Sequence, residues 1–221
     1  MPERASTTAA TPAEAGAVVA ICFGLFIVWS LSAAAAGFQT GTGFSDAVFT
    51  ETIAIECFLG STALWFLRGR GHSVRTLLPL PTWWGTLLGV ALCFACLVGW
   101  GLVSPLFSVA EQAAQPISQI MAVSRPSLTM IVLASMVNGL YEETFLVGYL
   151  VRGFSGLGAS LALGISLLVR LLYHVYQGPI GALSVVVFGL VVSLFYWRTR
   201  LLWPVVVAHA LQDVIAFTYA Q

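Results

Sequence analysis

Six ionisable side chains fall inside long apolar runs in the second half of the sequence: Glu142, Glu143, Arg170, His174, His209 and Asp213. A formally charged group in lipid costs about 2.5–3.5 kcal/mol to insert, so the four charged members would cost roughly 10–14 kcal/mol if left unpaired. That rivals the whole stability of a typical domain, about 5–15 kcal/mol. The six groups must therefore face one another in a polar pocket. Their spacing agrees. Arg170 and His174 are four residues apart, as are His209 and Asp213, so each pair leaves its helix on one face. Asn138 lies four residues before Glu142, on the same stripe. Glu142 and Glu143 are adjacent and diverge by about 100°, which suits one to chemistry and the other to support.

A glutamate, two histidines and a further carboxylate in a dry cavity are the parts of a water-activating hydrolase. Glu142 is placed to take a proton from water as general base, with His174 holding that water and shuttling the proton. His209, with Asp213 if protonated or bridged by water, is suited to stabilise the oxyanion of a tetrahedral intermediate. Hydrolysis of a peptide bond fits this set. A zinc-dependent variant would use Glu142, His174, His209 and Asp213 as ligands, but no His-Glu-x-x-His helix is present. Neither metal nor other cofactor is expected.

These groups need helices that cross a bilayer to hold them. The chain has 221 residues, with nine arginines, no lysine, nine acidic residues and three histidines. Charged residues make up 8% and the AVILMFWYC set 59%, with mean hydropathy +0.94. Such a composition lacks the polar skin of a soluble enzyme, and the formal net charge of +0 excludes a nucleic-acid partner. The fold class is all-α: a polytopic helical bundle with the lipid bilayer as its solvent. Seven spans are predicted: Gly16–Gly37, Ala47–Leu67, Gly85–Leu106, Leu128–Val151, Ser160–Val175, Ile180–Trp197 and Leu201–Tyr219. At about 1.5 Å per residue, Glu142 lies roughly 15 Å from the nearer arginine-rich end, His209 roughly 12, Asp213 roughly 18 and His174 roughly 20 Å. All four fall in one layer near mid-membrane.

Arginine counting sets the orientation. Arg4, Arg68, Arg70, Arg75, Arg152, Arg198 and Arg200 fall on one side and Arg125 alone on the other. This predicts an integral membrane protein with its N-terminus in the cytoplasm, and the first span reads as a retained anchor. Three parts follow: a polar N-terminal tail (1–15), three accessory transmembrane helices with their loops (16–127) and a catalytic core (128–221). The absence of lysine beside abundant Ala, Gly and Arg points to a high-GC prokaryote, and so to its inner or plasma membrane.

The same residues carry a family resemblance. YEETFLVGYL is similar to the Glu-Glu-x-x-x-Arg motif of the CAAX-protease and bacteriocin-processing (CPBP) family of intramembrane endopeptidases. RLLYHVYQG resembles its Phe-x-x-x-His motif, and RTRLLWPVVVAHALQD its last motif, a His followed four residues later by Asn or Asp. The three stand in the family's order over roughly residues 128–219. The resemblance implies a metal-free glutamic mechanism: Glu142 and His174 activating water, His209 and Asp213 forming the oxyanion site, Glu143 supporting. It also implies a four-helix catalytic core and a membrane-embedded or membrane-anchored protein or peptide as substrate. The chain departs from the pattern twice. Val147 stands where the motif has Arg, and Arg170 where it has Phe. One exchange explains both: Arg170 supplies from the fifth span the cation normally on the fourth, pairing with Glu143 and leaving Glu142 free.

Other readings compete with an enzyme. The cluster could be an ion-pair staple in a non-enzymatic immunity or scaffold protein, or a proton relay in a coupled transporter. Paired repeats or broken helices would favour the transporter. Elsewhere, Glu51 reads as interfacial, Glu56 as deep enough to reach a cavity, and His72 as a solvated loop residue. Trp83, Trp84, Trp197 and Trp203 read as interfacial anchors, and Cys22, Cys57, Cys93 and Cys96 as apolar filler.

Overall fold

Backbone groups in lipid find no water, so an apolar chain must close its hydrogen bonds internally. The computed structural model, which describes residues 10–38 and 43–219, is accordingly helical, with no strand among the described residues. Seven long helices correspond to the seven expected spans: α1 Pro12–Ala35, α2 Asp46–Gly69 and α3 Trp83–Val103, then, after two short helices α4 Val109–Ala113 and α5 Pro116–Val123, α6 Leu128–Glu143, α7 Ala159–His174, α8 Pro179–Thr199 and α9 Trp203–Tyr219. Polar caps mark their starts. Thr11, Ser45, Thr82 and Ser127 each accept from a backbone N–H three residues on, and prolines open α1, α5 and α8. Polar residues 1–9 and Arg4 lie outside the described residues. The remainder of the expected tail differs from its reading, since α1 begins at Pro12 and takes in Glu14.

Two further details differ from the sequence reading. Six of the seven helices are long and apolar enough to cross a membrane. The seventh, expected over Leu201–Tyr219, forms only from Trp203 and has 17 residues, about 26 Å against a hydrocarbon core of about 30 Å. The cause is local: Arg200 adopts the left-handed region (φ 58°) and ends α8, so Leu201 and Leu202 are spent on the turn before Pro204. His72 is not solvated. Its Nε2 lies 2.7 Å from Oε1 of buried Glu14, which also accepts from the Tyr149 hydroxyl at 2.8 Å and pairs with Arg70 at 3.6 Å. This polar knot ties α1 to the α2–α3 loop and to the far end of the α6 span.

That span contains a change of winding. From Thr144 to Val151 the helix is π-type, and every residue in it is buried. The bundle packs α6 between α2 and α9, α7 between α1 and α8, and α3 against α8 and α9. Large side chains such as Phe58, Trp65, Phe94 and Leu102 are exposed on its outside, as a lipid-facing surface requires. All described arginines other than Arg125 and the buried Arg170 gather at one end.

At the Arg125 end, α5 lies across the bundle as a strap. Its C-terminal side is tied to the start of α2: Phe44 N donates to Ser124 Oγ (2.7 Å), Arg125 N to Phe44 O (3.0 Å) and Ser127 N to Asp46 Oδ1 (2.6 Å). Just before its other end, Gln115 Oε1 accepts from Ile180 N of α8 at 3.0 Å.

Candidate active site

The sequence brings the charged layer together through two glycines that let helices approach closely. A Cβ at Gly139 of α6 would lie 3.1 Å from Val206 O and 3.4 Å from His209 Cβ, so the small residue sets α9, with His209, against the acidic face of α6. A Cβ at Gly189 of α8 would lie 2.8 Å from Arg170 Cδ and 3.0 Å from its Nε. The guanidinium therefore passes directly over α8, above the Phe188 ring at 5.4 Å. Gly189→Ala is expected to destabilise the bundle by about 1–3 kcal/mol, the usual cost of overpacking. A thermal or denaturant midpoint equal to that of the parent would contradict the close passage.

Arg170, 1% exposed, is the hub. Its Nη2 donates to Glu143 Oε1 at 2.7 Å and its Nη1 to Glu142 Oε2 at 3.2 Å. The expected pairing with Glu143 is present, but Glu142 is not left free, because the guanidinium fork spans both neighbouring carboxylates. Tyr173 adds to this by donating to the same Glu142 Oε2 at 2.5 Å. Among the described residues Oε1 of Glu142 makes no hydrogen bond, and Glu142 lines a cavity. One oxygen is thus held while the other remains available.

Glu143, fully buried, also accepts from His209 Nδ1 at 2.6 Å. It fixes the imidazole as an outer-shell carboxylate fixes a working histidine. His209 Nε2 then lies 3.3 Å from Asn138 Nδ2, 3.6 Å from Asp213 Oδ2 and 3.9 Å from Glu142 Oε2. Asn138 Nδ2 also donates to Asp213 Oδ2 at 3.0 Å. His174 ends α7. Its Nδ1 is 2.9 Å from the Arg170 carbonyl, and since a carbonyl can only accept, Nδ1 carries a proton, which leaves Nε2 as the nitrogen free of that contact. All seven expected residues are close to this cluster: Glu142, Asn138, Asp213 and His174 line the cavity, while Glu143, Arg170 and His209 lie behind it.

Glu142, Glu143 and His209 offer ligand atoms within 4.8 Å of one another, the spacing of a metal site. The fit is poor. Both carboxylates already accept from the Arg170 guanidinium, and a divalent ion would sit against that fixed positive charge.

Sequence reasoning missed Tyr173 and Phe188. Tyr173 lies three residues after Arg170, one turn along the same face, and that spacing was the available signal. Phe188 packs edge-on to His209 at 5.0 Å and carried no signal in an ordinary apolar run. The accessory helices also contribute: Phe23 of α1 stacks on Tyr173 at 5.0 Å, and the Tyr141 hydroxyl donates to the Cys22 carbonyl.

The cavity has a volume of about 510 Å³ and mostly apolar walls. It extends from the Glu142 layer toward the Arg125 end, where Ala33, Phe44, Gln177, Phe217 and the α5 residues Ile117 and Met121 border it. No lining residue comes from the arginine-rich loops.

Residues 124–215 match the type II CAAX prenyl endopeptidase Rce1-like family. No curated protein and no solved structure matches the chain.

Proposed function

From the premise that this chain belongs, through residues 124–215, to the CPBP family of CAAX-type intramembrane proteases, we propose that it hydrolyses a peptide bond of a membrane-embedded or membrane-anchored protein by a glutamic mechanism. The observation that carries this reading is Glu142, with one oxygen tethered and the other without a hydrogen bond among the described residues, lining the same cavity as His174, whose Nδ1 is held by the Arg170 carbonyl.

Glu142 takes a proton from a water held between its Oε1 and His174 Nε2, and the resulting hydroxide attacks the scissile carbonyl. The O–H bond of water breaks as the new C–O bond forms. Charge on the carbonyl oxygen is met by Nε2–H of His209, which enters the cycle as the imidazolium with Nδ1–H held by Glu143, and by the Asn138 amide. Asp213 orients that amide by accepting from it. Collapse of the intermediate breaks the C–N bond, and the proton held by Glu142 passes to the leaving amine. Arg170, Glu143 and Tyr173 hold the base and the imidazole in register. Residues 128–221 carry this core, and α1, α2 and α5 wall the cavity.

The test is a comparison of membrane-protein termini in cells carrying the parent chain or Glu142→Gln. New termini should appear with the parent alone. Identical termini would contradict proteolysis, and a phenotype surviving Glu142→Gln would favour a scaffold.

Positive-inside orientation puts the arginine-rich end in the cytoplasm, so the cavity faces the opposite side of a prokaryotic plasma membrane and receives substrate there. In otherwise cysteine-free protein, Ser127→Cys should react with a membrane-impermeant maleimide on intact cells, while Ser73→Cys should react only after lysis. The reverse pattern would invert the topology.

A further inference from the structure

Two polar groups in the cavity wall are left unused by the chemistry above. Glu56, on α2, is 4% exposed, lines the cavity, and its Oε2 has no partner. Ser135, on α6 two turns before Glu142, is 2% exposed, lines the same cavity, and its Oγ has none either. The helices that carry them pack against each other. An orphaned buried carboxylate costs several kcal/mol unless a proton or a donor meets it, and among the described residues none of the cavity's hydroxyl or amide groups donates to its Oε2. The neighbouring charges make the shortage worse. Glu142 and Asp213 are within electrostatic reach of Glu56, with His209 the one opposing group among the described residues, and both His209 and Arg170 are already paired with the site's other carboxylates. The cavity therefore has acceptors and negative charge to spare, with aromatic faces beside them that favour cations.

We propose that Glu56 and Ser135 form a subsite for a basic side chain, arginine or lysine, of the substrate polypeptide. This rests on the reading of the cavity as the place where a polypeptide binds. A guanidinium or ammonium brings several donors and one positive charge, which satisfies the carboxylate of Glu56 and the lone pairs of the Ser135 hydroxyl together. The enzyme then selects segments that carry a basic residue close to the bond it cuts, within an otherwise apolar stretch.

The test uses the full chain in lipid nanodiscs, in the Glu142→Gln form so that bound peptide stays intact. The probes are apolar ten-residue peptides bearing one arginine at each position in turn, paired with the same peptides bearing the neutral isostere citrulline. At the position that meets Glu56, arginine should bind about tenfold or more tightly than citrulline, the value of a charge-assisted hydrogen bond in a dry site. In Glu56→Gln the ratio should fall to within about twofold, and Ser135→Ala should lower it part of the way. Equal binding of the two series in the Glu56 form, or a preference that survives Glu56→Gln, overturns the subsite. Should Glu56→Gln not fold, the arginine-to-citrulline ratio and its response to Ser135→Ala decide the matter. Cleavage of the same peptides by the parent chain is read separately. Cleavage without arginine preference removes the subsite alone, and arginine preference without cleavage removes the protease reading alone.

Discussion

Glu142→Gln should lower turnover by at least about 100-fold, the smaller end of what a positioned general base contributes, while the bundle stays folded. Glutamine keeps the shape of the side chain and an oxygen that can accept from Arg170 Nη1 and Tyr173 OH, which now meet Glu142 Oε2 at 3.2 and 2.5 Å. What it lacks is the basic oxygen facing the cavity. Stability should change little, because Glu143 continues to hold the Arg170 guanidinium at 2.7 Å. Initial rates on a cleavable membrane peptide and an unfolding midpoint, measured on the same preparation, separate the two effects. A rate within tenfold of the parent would remove Glu142 from the role of base. A collapsed midpoint would make it a structural residue.

Arg170→Phe should have the largest effect on both activity and stability. Two adjacent carboxylates would remain buried with His209 as their one cationic neighbour among the described residues, and breaking a buried pair from one side costs about 3–5 kcal/mol. Against a total of about 5–15 kcal/mol, a marginal or unfolded protein is expected, with no measurable turnover. Adding Val147→Arg should recover part of both. Position 147 is four residues beyond Glu143, so a long side chain there projects along the same face toward that carboxylate, and phenylalanine at 170 is too short to reach the place beside Glu143 that the guanidinium now holds. Expression level, unfolding midpoint and initial rate of the single and double variants report the outcome. An Arg170→Phe protein with full activity defeats the exchange, and a double variant no better than the single shows that position 147 cannot reach the pair.

Much of this site could be read from the sequence because charge is scarce. In a chain with 8% charged residues, Glu142, Arg170 and Asp213 stand out against apolar neighbours, and a common depth follows from helix rise alone. The residues that escaped notice are those whose role is set by packing. Tyr173 looks like any tyrosine in a span until its hydroxyl is seen against Glu142. Gly189 is one of 21 glycines, and only the passage of Arg170 over α8 gives it a purpose. His72 was misread because Glu14, its partner, is 58 positions earlier in sequence and adjacent only once α1 packs beside α2. The wide winding after Glu143 left no trace in composition, since Thr144–Val151 is as apolar as a regular helix core. Span limits were legible to a few residues, and the shortfall of α9 came from the left-handed turn at Arg200.

The buried segment Thr144–Val151 has a consequence for traffic. All of its residues are buried and none lines the cavity, so the pocket stops at the Glu142 layer. On the proposed reading, a polypeptide substrate would not be threaded from one side of the membrane to the other. It would dip in and withdraw by the way it came, past α5, which is tied at its C-terminal side to α2 and through Gln115 to α8. For the protease proposed here, that geometry favours one cut in a tail or a loop able to fold back on itself, and it disfavours stepwise degradation of a threaded chain.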